Sequence, residues 1–170
     1  KLNGNFPTGT DNVALGNAAL SGGSLSGAGN IAIGDSAGDA ITSGSNSVAI
    51  GRDVLGGAYT GSDAVAIGRS ALAALTSGSN TVAVGGLAGT SLTEGLQNTL
   101  VGTQAGDALT DADFNVAIGQ SSLTADTLGS RSTAVGYNTL GSQNFTTATN
   151  SNNVAVGYNA GASVTTGVSN

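Results

Sequence analysis

Asn46-Ser47-Val48-Ala49-Ile50-Gly51 holds the phrase that decides the fold: an apolar residue, Ala, a second apolar residue, then Gly. It returns as Val13-Ala14-Leu15-Gly16, Ile31-Ala32-Ile33-Gly34 and Val154-Ala155-Val156-Gly157, with closing glycines at 16, 34, 51, 68, 85, 102, 119, 136 and 157. A period of about 17 residues marks units that cannot bury an apolar face alone and must stack on their neighbours. The repeat predicts a single domain over 1–170, with a lead-in over 1–11, repeats over 12–170 and an inserted loop over 141–152, where the last step lengthens.

Twenty-nine glycines would suit a disordered linker, but the 39% hydrophobic fraction falls in strict rhythm, which such linkers lack. The chain has no Cys, His, Trp or Met, and its only lysine is Lys1. Cysteine and serine-triad nucleophiles, thiolate or imidazole metal sites and Schiff-base lysines therefore lack their residues. We expect no enzyme, no catalytic residue, no metal and no cofactor. The formal charge of -6 opposes nucleic acid, and no apolar run predicts direct membrane insertion.

Period-two alternation closed by glycine reads each phrase as a short strand. Downstream runs such as 37–42 and 88–93 read as a second, looser strand, followed by turns such as Ser43 to Asn46 and Ser77 to Asn80. The fold class expected is all-β: a parallel β-solenoid of nine coils, about 40 Å long at the usual strand spacing. Four residues after each glycine stands either Leu (Leu20, Leu55, Leu72, Leu123, Leu140) or Gly (Gly38, Gly89, Gly106, Gly161). Each Gly is followed three residues later by Ile41, Leu92, Leu109 or Val164, whereas Gly23, Ala58, Leu75, Asp126 and Gln143 follow the leucines. Two positions thus share one core slot, as close packing requires.

The outer two residues of each phrase are expected to point into the coil's own core, and the residue between them to the opposite face. That column is Ala14, Ala32, Ala49, Ala66, Ala83, Leu100, Ala117, Ala134 and Ala155. Small apolar residues on an outer face predict close approach of another chain, in a cyclic homo-oligomer about an axis parallel to the rod.

The phrase at 46–51 and its relatives beginning at 12, 30, 80, 98, 115 and 153 resemble the head repeats of trimeric autotransporter adhesins. They are more similar to the longer repeats of phage and phage-like tail fibres, through Ala105-Gly106 with Leu109-Thr110, Leu75-Thr76-Ser77-Gly78-Ser79-Asn80, and Ala160-Gly161 with Thr165-Thr166-Gly167. The resemblance covers residues 12–170. It implies a left-handed β-roll, a homotrimer, and an extracellular attachment role on a bacterial surface or virion fibre, toward a cell-surface glycan or protein receptor. Adhesin heads use a shorter repeat, and no coiled-coil stalk, membrane anchor or C-terminal chaperone domain is recognisable in these residues.

The residue after each glycine varies: Asn17, Asp35, Arg52, Arg69, Gly86, Thr103, Gln120, Tyr137 and Tyr158. Variability on a fixed frame makes Arg52, Arg69, Tyr137 and Tyr158 candidate ligand contacts, although stacked tyrosines also serve as structural ladders and the arginines have Asp35 and Asp53 at hand. Gln143, Asn144 and Phe145 of the inserted loop are further candidates, either protruding or with Phe145 tucked onto the rod. A threonine rank at 42, 76, 93, 110, 127 and 165, broken by Ser24, Tyr59 and Asn144, raises an ice-binding alternative beside ordinary strand support; a self-assembling extracellular filament is another. The asparagines at 12, 30, 46, 80, 98, 115 and 153 are expected to satisfy turn backbone. Asp107, Asp111 and Asp113 cluster without a calcium-repeat motif.

Overall fold

The structure is a computed structural model that describes residues 4–5, 9–22 and 25–170, the first two by backbone alone. Most of the lead-in, with Gly23 and Ser24, lies outside the described residues. The strands are β1 (Gly4–Asn5), β2 (Val13–Leu15), β3 (Ile31–Ile33), β4 (Val48–Ile50), β5 (Val65–Ile67), β6 (Val82–Val84), β7 (Thr99–Val101), β8 (Val116–Ile118), β9 (Gly129–Ser130), β10 (Thr133–Val135), β11 (Thr149–Asn150) and β12 (Val154–Val156). The nine phrase strands pair in parallel, residue for residue, in the order β2-β3-β4-β5-β6-β7-β8-β10-β12. The chain is thus an all-β parallel solenoid of about eight turns. At its start β1 pairs antiparallel with β2, and β9 and β11 form a small second sheet.

The phrase faces the opposite way from the sequence expectation. Ala32, Ala66, Ala83, Ala117 and Ala134 are wholly buried within the chain, Ala49 almost so, Ala14 and Ala155 nearly so at the two ends, and Leu100 is buried with them. The alanine column is the solenoid's core and cannot be the outer contact predicted for it. The flanking Val and Ile side chains are the ones that point out. The reason is room: where the residue four past the glycine is a buried leucine above or below the strand, only a methyl fits beside it. Leu100 tests that account. The two fillers around it are Gly89 and Gly106, where an added Cβ would lie 2.7 Å from Leu100 Cδ1 and 2.9 Å from Leu100 Cδ2.

Volume exchange holds in the glycine coils but not in the coil of Leu72, where Leu75 is wholly buried beside it. A Cβ on Gly38 would meet Ile41 Cδ1 at 2.8 Å, and one on Gly106 would meet Leu109 Cδ1 at 2.8 Å. In the coil of Leu55, Ala58 is exposed and Tyr59 takes the core place.

The downstream runs expected as second strands are corners. Position four past the glycine is left-handed in every coil where it is described, with φ of 48–51° at the five leucines and 57–62° at the glycines. Two such corners cannot continue a strand, although inter-coil backbone bonds persist, as from Thr76 N to Thr93 O at 2.8 Å. The phrase glycine is required for a second reason. At Gly51 φ is +136°, and a Cβ there would lie 2.7 Å from Gly68 O.

The asparagines separate into two columns. Asn12, Asn30, Asn98, Asn115 and Asn153 directly precede strands and bridge coils: Asn115 donates to Gly129 O at 2.9 Å and accepts from Ser132 N at 2.8 Å. Asn30 and Asn98 make the same pair of contacts. Asn46 and Asn80 stand one residue earlier, at left-handed corners.

The filling rule predicts that exchanging alanine and leucine in either direction destabilises the coil. Leu100→Ala should cost about 2–5 kcal/mol by leaving a cavity. Ala66→Leu, with Leu55 and Leu72 at the filler positions, should cost about 1–3 kcal/mol by overpacking. Urea unfolding followed by circular dichroism measures both.

Candidate functional site

Turning alanine inward leaves the outer phrase residues as a continuous face. One column is Val13, Ile31, Val48, Val65, Val82, Thr99, Val116, Thr133 and Val154; the other runs from Leu15 through Ile50 and Val84 to Val156. None of them is buried, and Val154 and Val156 at the open end are 63% and 68% exposed. Nine strands make a strip roughly 40 Å by 10 Å. Apolar patches of a few hundred Å² with polar borders mark interaction surfaces.

Two columns border the strip. On one side stand the residues after the glycines, including Arg52, Arg69, Tyr137 and Tyr158, all exposed. On the other stand the left-handed corners two residues before each strand: Asp11, Gly29, Asn46, Asp63, Asn80, Gln97, Phe114, Arg131 and Asn152. Tyr137 and Tyr158 stack with centroids 5.1 Å apart and planes 13° apart, and beside them Asn138 donates to Asn159 at 3.0 Å. The tyrosines form a ladder whose inner faces are occupied. Arg52 sits 3.6 Å from Asp53, next to Asp35 and to Asp39, whose carboxyl burial, with Asp53 and Asp35 nearby, raises above its ordinary value. This end of the edge is acidic in balance. Arg69 has no ion pair among the described residues, and Arg131 lies over the Phe114 ring at 5.7 Å.

The loop candidates divide. Gln143 is wholly buried and Phe145 nearly so, which corrects their reading as ligand contacts; Asn144 is exposed, as are 146–148. Gln143 is held because the core slot of its coil and of the coil below is polar. The buried Asp126 accepts from Gly129 N at 3.1 Å, Phe145 N at 3.0 Å and Gln143 Nε2. Gln143 Nε2 also donates to Ser132 Oγ at 3.1 Å, and Asn153 donates to Gln143 Oε1 at 2.8 Å. Sequence reasoning placed Asp126 and Gln143 in the shared slot without seeing that they satisfy each other from adjacent coils. Their occurrence exactly 17 residues apart was the available signal.

The threonine rank is also committed internally. Thr76, Thr93 and Thr110 each donate a hydroxyl hydrogen to the next coil's carbonyl at 3.0–3.1 Å, and Thr127 does so to Phe145 O at 2.8 Å. This is strand support, and those hydrogens are not presented outward.

Tyr59 is the one side chain among the described residues with a buried polar atom lacking a hydrogen-bond partner. Ser47 and Ser79 lie near its hydroxyl without bonding geometry, and burial pushes the phenol up to about 12.

Comparison of the chain with protein family models, with curated proteins and with solved structures finds no match.

Two outcomes follow. Asp126→Ala leaves three buried donors without their acceptor and should destabilise the chain by about 2–5 kcal/mol, with faster amide exchange concentrated in 126–153. For Tyr59, the raised folded value means that stability is intact below pH 10 and falls between about 10 and 12 as the unfolded phenol ionises first. Tyr59→Phe should keep or raise stability at neutral pH and remove this alkaline loss, read from denaturant midpoints at pH 8 and 11.

Proposed function

We propose that the chain is a segment of a trimeric extracellular attachment fibre, a left-handed β-roll that packs side by side with two further copies through its Val/Ile face. The observation that carries this reading is the outward aliphatic strip, which runs the length of the rod with polar columns on both sides. A face of β-branched residues on a rigid, flat sheet is costly to leave in water and suits self-association about a common axis. The resemblance of the phrase to adhesin heads and tail fibres supplies the number three and the attachment role. In this reading the solenoid is a spacer and display frame without catalysis. The exposed tip at Asn144 and 146–148 is placed outward for contact with a cell-surface glycan or protein receptor.

Sedimentation equilibrium tests the assembly. The chain should be a trimer at micromolar concentration. Ile50→Asp with Ile67→Asp should weaken association at least about a hundredfold while preserving the β-rich circular dichroism, because both side chains point away from the core. Ala49→Asp should instead unfold the coil. A stable wild-type monomer in dilute buffer would overturn the proposal, and a glycan array probed with the assembled rod tests the attachment role.

A further inference from the structure

The borders of the aliphatic strip carry an asymmetry that a single chain does not use. Arg69 stands exposed on the border after the glycine, without an ion pair or side-chain hydrogen bond among the described residues, and Asp63 stands exposed on the opposite border of the same phrase, likewise without a side-chain bond among them. A chain of low charge density, with four basic residues in all, carries one on each border of the strip at different levels: Arg69 after β5 and Arg131 before β10. A rotation axis parallel to the rod carries no translation, so coil n of each copy lies at the height of coil n of its neighbour, and one copy's left border meets the next copy's right border. Six residues of a 17-residue coil rise by only about 2 Å of the ~4.8 Å spacing. The residues that meet are therefore those two before and one after the same strand.

Applied to this chain, that rule sets Asp63 against Arg69, Arg131 against Tyr137 and Phe114 against Gln120, with Asn80 against Gly86. No pair of like charges meets anywhere along the rod. Sliding one copy by a coil in one direction sets Asp11 against Asp35 and Asp63 against Gly86, although Arg131 then meets Tyr158. Sliding it the other way sets Asp63 against Arg52 but leaves Arg69 facing Asn80 and Arg131 facing Gln120, so only the in-register arrangement keeps both the ion pair and the arginine-aromatic contact without a like-charge pair. The aliphatic columns themselves are nearly uniform, Val or Ile at almost every level, so they bind without selecting a register. Charged and aromatic border residues are suited to select it.

Resting on the side-by-side assembly proposed above, we infer that a second copy of this chain docks in register against both borders of the strip, with Asp63 of one copy paired to Arg69 of the next and Arg131 facing Tyr137 across the same seam. Arg69 and Tyr137, exposed in the single chain, then serve the assembly and not a soluble ligand.

Cysteine pairing tests this directly, since the chain has no thiol of its own. Positions 63 and 69 flank one strand and lie roughly 15 Å apart, beyond the ~7 Å that a disulfide spans, so a bond between them must join two chains. Gln97, Phe114 and Arg131 occupy the column of Asp63 with φ of 55–65°, so the corner accepts ordinary side chains. Under mild oxidation Asp63→Cys with Arg69→Cys should give a covalent trimer on non-reducing gels, and neither single variant should cross-link. Arg69→Asp should weaken association at least fivefold at low salt, and Asp63→Arg added to it should restore it. A trimer by sedimentation that forms no disulfide overturns the seam while leaving the assembly standing. Dimers from a single variant overturn it in favour of two-fold symmetry, and a monomeric wild type overturns the assembly itself.

Discussion

The narrowness of the coil is the constraint on which the rest depends. Adjacent phrase glycines stack so closely that a single Cβ on Gly51 would reach within 2.7 Å of the next coil's carbonyl. The strand then contributes only a methyl to the interior, and the large side chains come from the run after the glycine, as with Leu72 and Leu75 or Leu55 and Tyr59. Alanine, a poor strand former, is retained there because it is the residue that fits. Leu100 shows the same limit from the other side, since it appears where two successive fillers are glycine. Once the methyl is inside, the β-branched residues on either side of it must point outward, and a rod that is modest in its own core gains a continuous apolar exterior.

Backbone strain is part of the same economy. Leucine in the left-handed region costs on the order of 1–2 kcal/mol, yet five coils accept it at the filler corner. Burial of a leucine side chain, about 1.5–3 kcal/mol, offsets that strain. The glycine coils avoid the strain and recover the volume from Ile41, Leu92 or Leu109 instead. Two solutions of nearly equal cost explain why both flavours coexist in one chain without disturbing the register of the strands.

Much of this was legible in the residues. The period, the parallel stacking and, outside the coil of Leu72, the shared core slot followed from spacing and volume; the asparagines were legible as satisfying turn backbone, but not their division into two columns or their bridge from coil to coil. The face was not. Apolar-Ala-apolar alternation states only that neighbours point oppositely, and which set is inside depends on the coil's width, which no single phrase reveals. Leu100 held the missing information, since the level where alanine gives way to leucine is the one flanked by Gly89 and Gly106. The second strand failed for a related reason: left-handed corners at Leu, Ser and Gln are set by coil closure and override the ordinary preferences of those residues. Gln143 and Phe145 were drawn inside by Asp126, a partner one coil away in space.

A uniform aliphatic strip also poses a problem that the borders answer. Identical coils give identical faces, so a copy displaced by one coil would bury almost the same area as a copy in register, and hydrophobic burial alone cannot separate the two states. Discrimination must come from residues that differ from coil to coil. In this chain those are concentrated in the two columns beside the strip, where acid, base, aromatic and glycine each appear at particular levels, while the strand and core columns stay nearly constant. Variability next to a constant apolar face is thus as well explained by alignment between copies as by recognition of a foreign ligand. In the proposed assembly the repeat would provide adhesion along the rod, and its irregular margins would provide the address at which one rod meets another.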